Sequence, residues 1–184
     1  MIKKFAAAFA ALALAAGAHA TSTPVAVDST EQATDSSVSG TFTASAAGNA
    51  NLTFDLNGYS TLDGQNFYED DFSLTVNGKI VYVGTFDLGG GGADVVYVNK
   101  DGATYVQSGQ TLDFTAPVAL TAGDNTFTFS YVSLADSSHA GFQGTGDEGW
   151  GVSNVAVVPE AGSLAMMLAG LGIVGGLARR RRQA

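Results

Sequence analysis

The region between residues 38 and 157 alternates apolar with polar side chains, and no other feature of the chain limits its fold as strongly. Residues 52–57 read Leu-Thr-Phe-Asp-Leu-Asn, and the same alternation returns at 72–77 and 126–131. Successive side chains of a β-strand point to opposite faces, so each stretch predicts a strand with one buried and one solvated face. The region contains no amphipathic helical stretch of ten residues. The sequence therefore predicts an all-β domain.

Turn residues fall between these predicted strands. Asn77 and Gly78 directly join two of them, and this dipeptide is typical of the type I′ turn of a β-hairpin. Residues 79–86 are apolar on both faces, as expected of a central strand. About nine or ten short strands at this spacing predict an antiparallel β-sandwich over residues 38–158, with a jelly roll as the expected topology.

The first twenty residues have the layout of a secretory signal peptide, with a short signal helix. A basic start precedes an uncharged apolar run at 5–16, and Ala18 and Ala20 supply the small residues of a cleavage site. The run is too short for a first transmembrane helix. We therefore expect an exported chain that begins at Thr21. Residues 21–37 lack an apolar pattern and are interpreted as a flexible leader or a loosely held edge segment.

The C-terminal tail, residues 159–182, has the composition of a membrane segment. As a helix, residues 161–178 would be about 27 Å long, which is enough to cross the hydrocarbon of a bilayer once. A basic cluster follows this apolar run and is expected to stop transfer on the cytoplasmic side. Its members are Arg179, Arg180, Arg181 and Arg182. An ordinary C-terminal membrane anchor is the plain alternative to a processed signal.

The tail resembles the PEP-CTERM sorting signal, which combines a Pro-Glu-Pro motif, one hydrophobic span and a terminal arginine cluster. Val158, Pro159 and Glu160 stand at the motif, with Ala161 in place of the second proline. The resemblance implies a Gram-negative bacterium that makes an exopolysaccharide or biofilm matrix. It also implies an inner-membrane intermediate, which an exosortase-type protease cuts near the motif. The cell surface or the extracellular matrix would be the final location.

Residues 146–157 also resemble the closing strand of secreted bacterial jelly rolls that are similar to carbohydrate-binding modules. In a regular strand, Trp150 and Val152 would lie on one face, and Val155 and Val157 would lie on the opposite face. A bulge near residues 153–154 would let all four side chains face the core. In those domains the acidic residue before the tryptophan often helps to hold a structural Ca²⁺ ion, so the resemblance implies the same here.

Charge limits the partners of the domain. Sixteen acidic residues and two lysines lie between Thr21 and Val158, a net charge of −14. Nucleic acid and anionic lipid surfaces are therefore excluded as expected partners, while cations and neutral polymers such as polysaccharides are compatible. Cysteine is absent from the chain, which excludes disulfides and thiolate sites.

Two acidic groups precede predicted strands and could supply the hard oxygens that Ca²⁺ prefers. Glu69, Asp70 and Asp71 precede the strand that begins at Phe72, and Asp147 and Glu148 precede the last one. Loops at one end of a sandwich could bring the two groups together. The alternative is a pair of solvated acidic loops that never meet.

Aromatic residues in loops suggest sugar stacking, for which Tyr59 and Tyr68 are the candidates, whereas Trp150 is expected to be buried. No catalytic residue is predicted. His139 is the sole histidine after the signal peptide, and neither a G-x-S-x-G elbow nor an H-E-x-x-H helix occurs. A glycosidase would need two carboxylates that face each other across a pocket.

The sequence thus predicts an exported, non-catalytic protein of the cell surface or the exopolysaccharide matrix, with a structural or adhesive role. The first alternative is a calcium-stabilised carbohydrate-binding module. The second is a secreted enzyme that acts on glycans.

Overall fold

A computed structural model describes residues 21–28, 30–144, 146–160 and Arg179. The chain divides into two compact units: one is Thr23–Val157, and the other comprises the chain ends, Met1–Ser22 and Val158–Ala184. Neither the predicted signal peptide nor the apolar run of the tail lies among the described residues. In the part of the chain that is described, no helix has the length and hydropathy needed to cross a membrane.

The described residues form thirteen strands, of which nine have five or more residues. The strands are β1 (Thr23–Pro24), β2 (Gln32–Ala33), β3 (Ser36–Ala44), β4 (Gly48–Gly58), β5 (Asp70–Val76), β6 (Lys79–Thr85), β7 (Val95–Asn99), β8 (Thr104–Ser108), β9 (Thr111–Leu120), β10 (Gly123–Ser133), β11 (Ala135–Asp136), β12 (His139–Ala140) and β13 (Gly149–Pro159).

Two antiparallel sheets pack face to face. Sheet A has the order β1-β13-β4-β9-β8, with β2 also paired to β13, and sheet B has the order β3-β10-β5-β6-β7. The chain passes between the sheets after β2, β3, β4, β7 and β9, and again after β10, where β11 and β12 form a small ribbon before β13. This jelly-roll arrangement confirms the predicted all-β antiparallel sandwich. The structure has more strands than the nine or ten predicted, because four of its thirteen strands are only two residues long.

Phenylalanines from both sheets fill the centre of the sandwich. Phe54 of β4 stacks on Phe114 of β9 with ring centroids 4.9 Å apart, and it meets Phe129 of β10 edge to face at 4.9 Å. All three rings are buried. Phe54 and Phe129 come from the alternating stretches 52–57 and 126–131, so the pattern identified the buried faces of β4 and β10 correctly.

The predicted hairpin turn and the predicted irregularity in the last strand are both present. Asn77 and Gly78 have φ angles of 52° and 73°, the two positive values that a type I′ turn requires. In β13, Asn154 has a φ of 52°. This residue interrupts the alternation, so that the apolar side chains on either side of it reach the same core. Those side chains are Trp150, Val152, Val155 and Val157, all buried.

The segment before β3 forms an edge of sheet A, one of the two alternatives for residues 21–37. β1 and β2 each pair with β13, and the Val25 amide donates to the Val155 carbonyl at 2.8 Å. The Val25 side chain belongs to the core. The compact unit therefore begins at Thr23 and not at residue 38.

Candidate functional site

The two predicted acidic groups do meet, through one carboxylate from each. Asp70 is the first residue of β5, and Glu148 comes directly before β13. The hydroxyl of Ser133, at the end of β10, lies 2.6 Å from Asp70 Oδ1 and 3.0 Å from Glu148 Oε2. Both acidic side chains are buried. Three strand ends thus place two carboxylates around one hydroxyl inside the sandwich.

Thr34 completes what we call the buried acidic network (Thr34, Asp70, Ser133 and Glu148). The Thr34 hydroxyl lies 2.6 Å from Ser133 Oγ and 3.1 Å from Glu148 Oε2. The network therefore contains four oxygen–oxygen contacts, but its two hydroxyls supply only two hydrogens. An additional proton on Asp70 would serve the contact to Ser133. Burial, together with the nearby charge of Glu148, raises the pKa of Asp70 to about 7.

The other predicted calcium ligands lie elsewhere. Asp71 follows Asp70 in β5, so its side chain points to the opposite face of sheet B. Asp147 accepts a hydrogen bond from the Thr61 hydroxyl at 2.7 Å. Among the described residues, no three His, Asp or Glu side chains gather as a metal centre. The five acidic residues therefore do not converge on one point in this structure, because strand alternation separates neighbours in sequence, and calcium binding stays a prediction.

A second group, partly open to solvent, surrounds Glu69. The Tyr97 hydroxyl donates to Glu69 Oε1, and Gln65 Nε2 donates to Tyr97 Oη at 3.3 Å. His139 places Nε2 3.6 Å from Glu69 Oε2 and Nδ1 2.9 Å from Asp136 Oδ1. These contacts join the loop before β5, the edge strand β7 and the β11–β12 ribbon.

Asp71 lies beside this group. Burial, together with the charge of the neighbouring Glu69, raises its pKa to about 6. Asp71 Oδ1 is buried without a hydrogen-bond partner among the described residues. The same two causes, burial first and then the bond to Glu69, raise the pKa of Tyr97 to about 12. Two carboxylates, a phenol and an imidazole thus share one end of sheet B.

Exposed aromatic residues occur in the same loop and edge strand as these polar groups. Phe67, Tyr68 and Tyr97 are 55%, 44% and 44% exposed. Phe67 and Tyr68 pack edge to face with centroids 5.2 Å apart. The Ala140 amide donates to the Phe67 carbonyl at 2.8 Å, which holds the loop against the β11–β12 ribbon. We call Gln65, Phe67, Tyr68, Glu69, Tyr97 and His139 the loop-end cluster. Its rings can stack on an apolar face, and its polar groups can bond hydroxyls.

The aromatic candidates have different surroundings. Tyr68 belongs to the loop-end cluster, whereas Tyr59 lies over β13, where a Cβ added at Gly151 would be 2.8 Å from its ring. Trp150 is fully buried, as expected, and its Nε1 donates to the Ala33 carbonyl at 2.8 Å. Tyr97 was not identified from the sequence. It is part of an apolar run that indicates a strand, and no local signal relates it to Glu69.

The buried acidic network does not have the geometry of a glycosidase. Those enzymes hold two carboxyl groups about 5–9.5 Å apart on either side of a sugar bond. Asp70 and Glu148 instead contact the same hydroxyl, and their exposed fractions are 0% and 1%. A substrate has no access to the space between them in this arrangement.

Residues 157–182 match the family described as the PEP-CTERM protein-sorting motif. The match includes Pro159, Glu160 and all four terminal arginines, and it confirms the resemblance of the tail. No curated protein matches the chain in sequence.

Solved structures of carbohydrate-binding modules are similar to the domain in fold. A family 35 module from an environmental isolate is 15% identical, with a TM-score of 0.33, over 77% of this chain and 82% of that one. A family 35 module from Cellvibrio japonicus is also 15% identical, with a TM-score of 0.33, over 78% and 93%. An exo-β-1,3-galactanase from Phanerochaete chrysosporium is 12% identical, with a TM-score of 0.34, over 76% of this chain and 29% of that chain. At these identities and TM-scores the similarity supports no conclusion about this chain.

Proposed function

The tail of this chain is a PEP-CTERM protein-sorting motif, and from that premise we propose an exported protein whose tail holds it temporarily in the inner membrane. An exosortase-type protease would then transfer it to the cell surface or the extracellular matrix. The position of the motif supports this order. β13 ends at Pro159 and Glu160 is exposed, so cleavage beyond Glu160 would leave every described strand intact.

Intact mass of the protein isolated from its host tests the sorting proposal. The wild type is expected to lack residues 1–20 and the residues beyond the motif. A variant with Arg179–Arg182 replaced by asparagine is expected to keep its tail, because the charges that stop transfer are lost. A wild-type protein that still carries residues 162–178, in a strain with the protease, would contradict the proposal.

We further propose that the domain is non-catalytic and binds a neutral polysaccharide through the loop-end cluster, which gives it an adhesive role in the matrix. The supporting observation is that Tyr97 bonds Glu69, with His139 close by, while the exposed rings of Phe67 and Tyr68 belong to the loop residues directly before Glu69. Sugars offer apolar ring faces for stacking and hydroxyls for bonding, and the cluster provides both kinds of partner. The net charge of −14 disfavours acidic polymers.

Affinity electrophoresis in gels that contain neutral or acidic polysaccharides tests this binding. The full chain in mild detergent is expected to be retarded by a neutral polymer only. Tyr68→Ala and Phe67→Ala should each weaken binding several-fold, since an aromatic stacking contact contributes about 0.5–1.5 kcal/mol. Tyr59→Ala is the matched control, because Tyr59 is equally exposed but lies over β13. An equal loss in the control, or no retardation by any neutral polymer, would exclude the loop-end cluster as the binding surface.

Calcium is a separate proposal, and Asp70 with Glu148 is the place in the described chain that suits it best. Both carboxylates are hard ligands, but the Ser133 hydroxyl stands between them. An ion held by both would have to displace that hydroxyl and would require an ionised Asp70. A proton and a Ca²⁺ ion therefore compete for the same pair. Measuring how stability changes with pH, with and without calcium, distinguishes the two.

A further inference from the structure

β3 differs from the strands at the other sheet edges. β7 and β8 have five residues each, and β1 and β2 have two each. β3 has nine residues and pairs only with β10 among the described residues. Its pairing runs without a register shift from Ser36 opposite Tyr131 to Ala44 opposite Gly123. One long edge of sheet B therefore presents regular backbone donors and acceptors on its outer side.

β3 also lacks the features that usually prevent edge pairing. Its sequence, Ser-Ser-Val-Ser-Gly-Thr-Phe-Thr-Ala, has no charged residue and no proline. By contrast, the pairing of β7 contains a register shift. Natural proteins blunt exposed edges with charges, prolines, bulges or short strands, so a long, regular and uncharged edge marks a place where another strand pairs.

We propose that β3 pairs with β3 of a second copy of this chain. Charge supports this partner. Each domain carries sixteen acidic residues and two lysines, so most pairs of surfaces would oppose carboxylates. The outward side chains of β3 carry none, and two copies can approach there with the least repulsion. They are Ser37, Ser39, Thr41 and Thr43, all exposed.

The strand is also complementary to itself. In an antiparallel two-fold pair centred on Gly40, Val38 lies opposite Phe42 of the second copy, and Ser39 lies opposite its Thr41. Apolar side chains then meet on the inner face and hydroxyls meet on the outer face. Such cross-strand pairs contribute about 0.2–1 kcal/mol each. The interface uses one patch on both copies, so it closes as a dimer.

Disulfide trapping tests both the pairing and its register, because the chain has no cysteine of its own. The cysteines are placed on either side of Gly40 and not at Gly40 itself, because a side chain there would clash. A Cβ added at Gly40 would lie 2.6 Å from Val27 Cγ2. Full chains with Ser39→Cys and Thr41→Cys, in mild detergent, are mixed and oxidised. Directly opposite residues have Cα atoms about 4.5–5.5 Å apart, within disulfide range. A dimer made of two copies of the same variant would place its two cysteines roughly 8 Å apart, outside that range.

The mixture is expected to cross-link several times more than either variant alone, and more strongly at higher salt, because salt screens the repulsion between the domains. Adding Ser37→Lys to both variants should abolish the cross-link. Val106→Cys is the control, on the edge strand β8 and 70% exposed. The Ser37→Cys and Thr43→Cys pair tests the same register if one of the first variants fails to fold. Equal cross-linking in the mixture and in the single variants, or equal cross-linking by Val106→Cys, would overturn the proposal.

Discussion

Replacing Trp150 with alanine is expected to lower the free energy of unfolding by about 3–5 kcal/mol, the usual loss for a buried aromatic residue. The indole is fully buried in β13 and packs against Tyr131, with ring centroids 5.7 Å apart. Its Nε1 donates to the Ala33 carbonyl and lies 3.1 Å from Ser36 Oγ. The substitution removes packing between the sheets and also the contact that holds the N-terminal segment. Denaturant titration of the full chain in mild detergent measures the loss.

Trp150→Phe separates these two contributions. It keeps an aromatic ring in the core but cannot donate to Ala33, so we expect a smaller loss, of about 1–3 kcal/mol, the cost of an unsatisfied buried polar group. Proteolysis between residues 25 and 33 should become faster in both variants. A loss below about 1 kcal/mol for Trp150→Ala would contradict the role of the indole in closing the sandwich.

The stability of the domain is expected to fall as the pH rises from about 4 to about 7, because Asp70 holds its proton more tightly in the folded state. Its pKa is about 7 when folded, against the ordinary value of 3.8 when unfolded. Below pH 3.8 both states bind the proton, so Asp70 adds no pH dependence. Between the two values only the folded state binds it, so each rise in pH favours unfolding. Above about pH 7 the full cost applies, on the order of a few kcal/mol.

Asp70→Asn isolates this contribution from the repulsion among the other acidic residues. The amide cannot ionise, so the variant should lose less stability than the wild type between pH 4 and pH 8. Asp113→Asn is the control, since it removes an exposed carboxylate of β9. Free energies of unfolding from denaturant titrations across this range make the comparison. Parallel curves for the wild type and Asp70→Asn would show that the network does not hold a proton.

Bound calcium would reverse the expected fall in stability with rising pH. An ion bound by Asp70 and Glu148 would raise the unfolding midpoint at pH 8, lose its effect near pH 5 and have none in Asp70→Asn. Identical midpoints with added CaCl₂ and with a chelator, at pH 8, would remove the calcium proposal. The same series thus decides whether a proton or a cation holds the two carboxylates.

Local pattern was sufficient for much of the fold. Alternation identified the buried faces of β4 and β10, and Asn77 with Gly78 specified a turn because only a few residues accept two positive φ angles. The irregularity in β13 was predictable as well, because its four apolar side chains could reach one core only if the strand's alternation was interrupted. The structure has this interruption at Asn154. These features depend on residues that are close in sequence.

The candidate sites were predictable only in part. Alternation along β5 separates Asp70 from Asp71, but it cannot show that Asp70 meets Glu148, because their contact depends on which strands neighbour each other. Tyr97 was missed for the same reason, since its bond to Glu69 joins an edge strand to a loop 28 residues away in the chain.

By itself, the sequence determined the all-β class, the turns and the sorting motif of the tail, since hydropathy, charge and turn chemistry are local properties of the chain. The tertiary structure alone decided which acidic residues meet, which tyrosine bonds Glu69 and which strand is left as a long edge. Those outcomes depend on strand order and register, which long-range packing sets and no short stretch of residues contains.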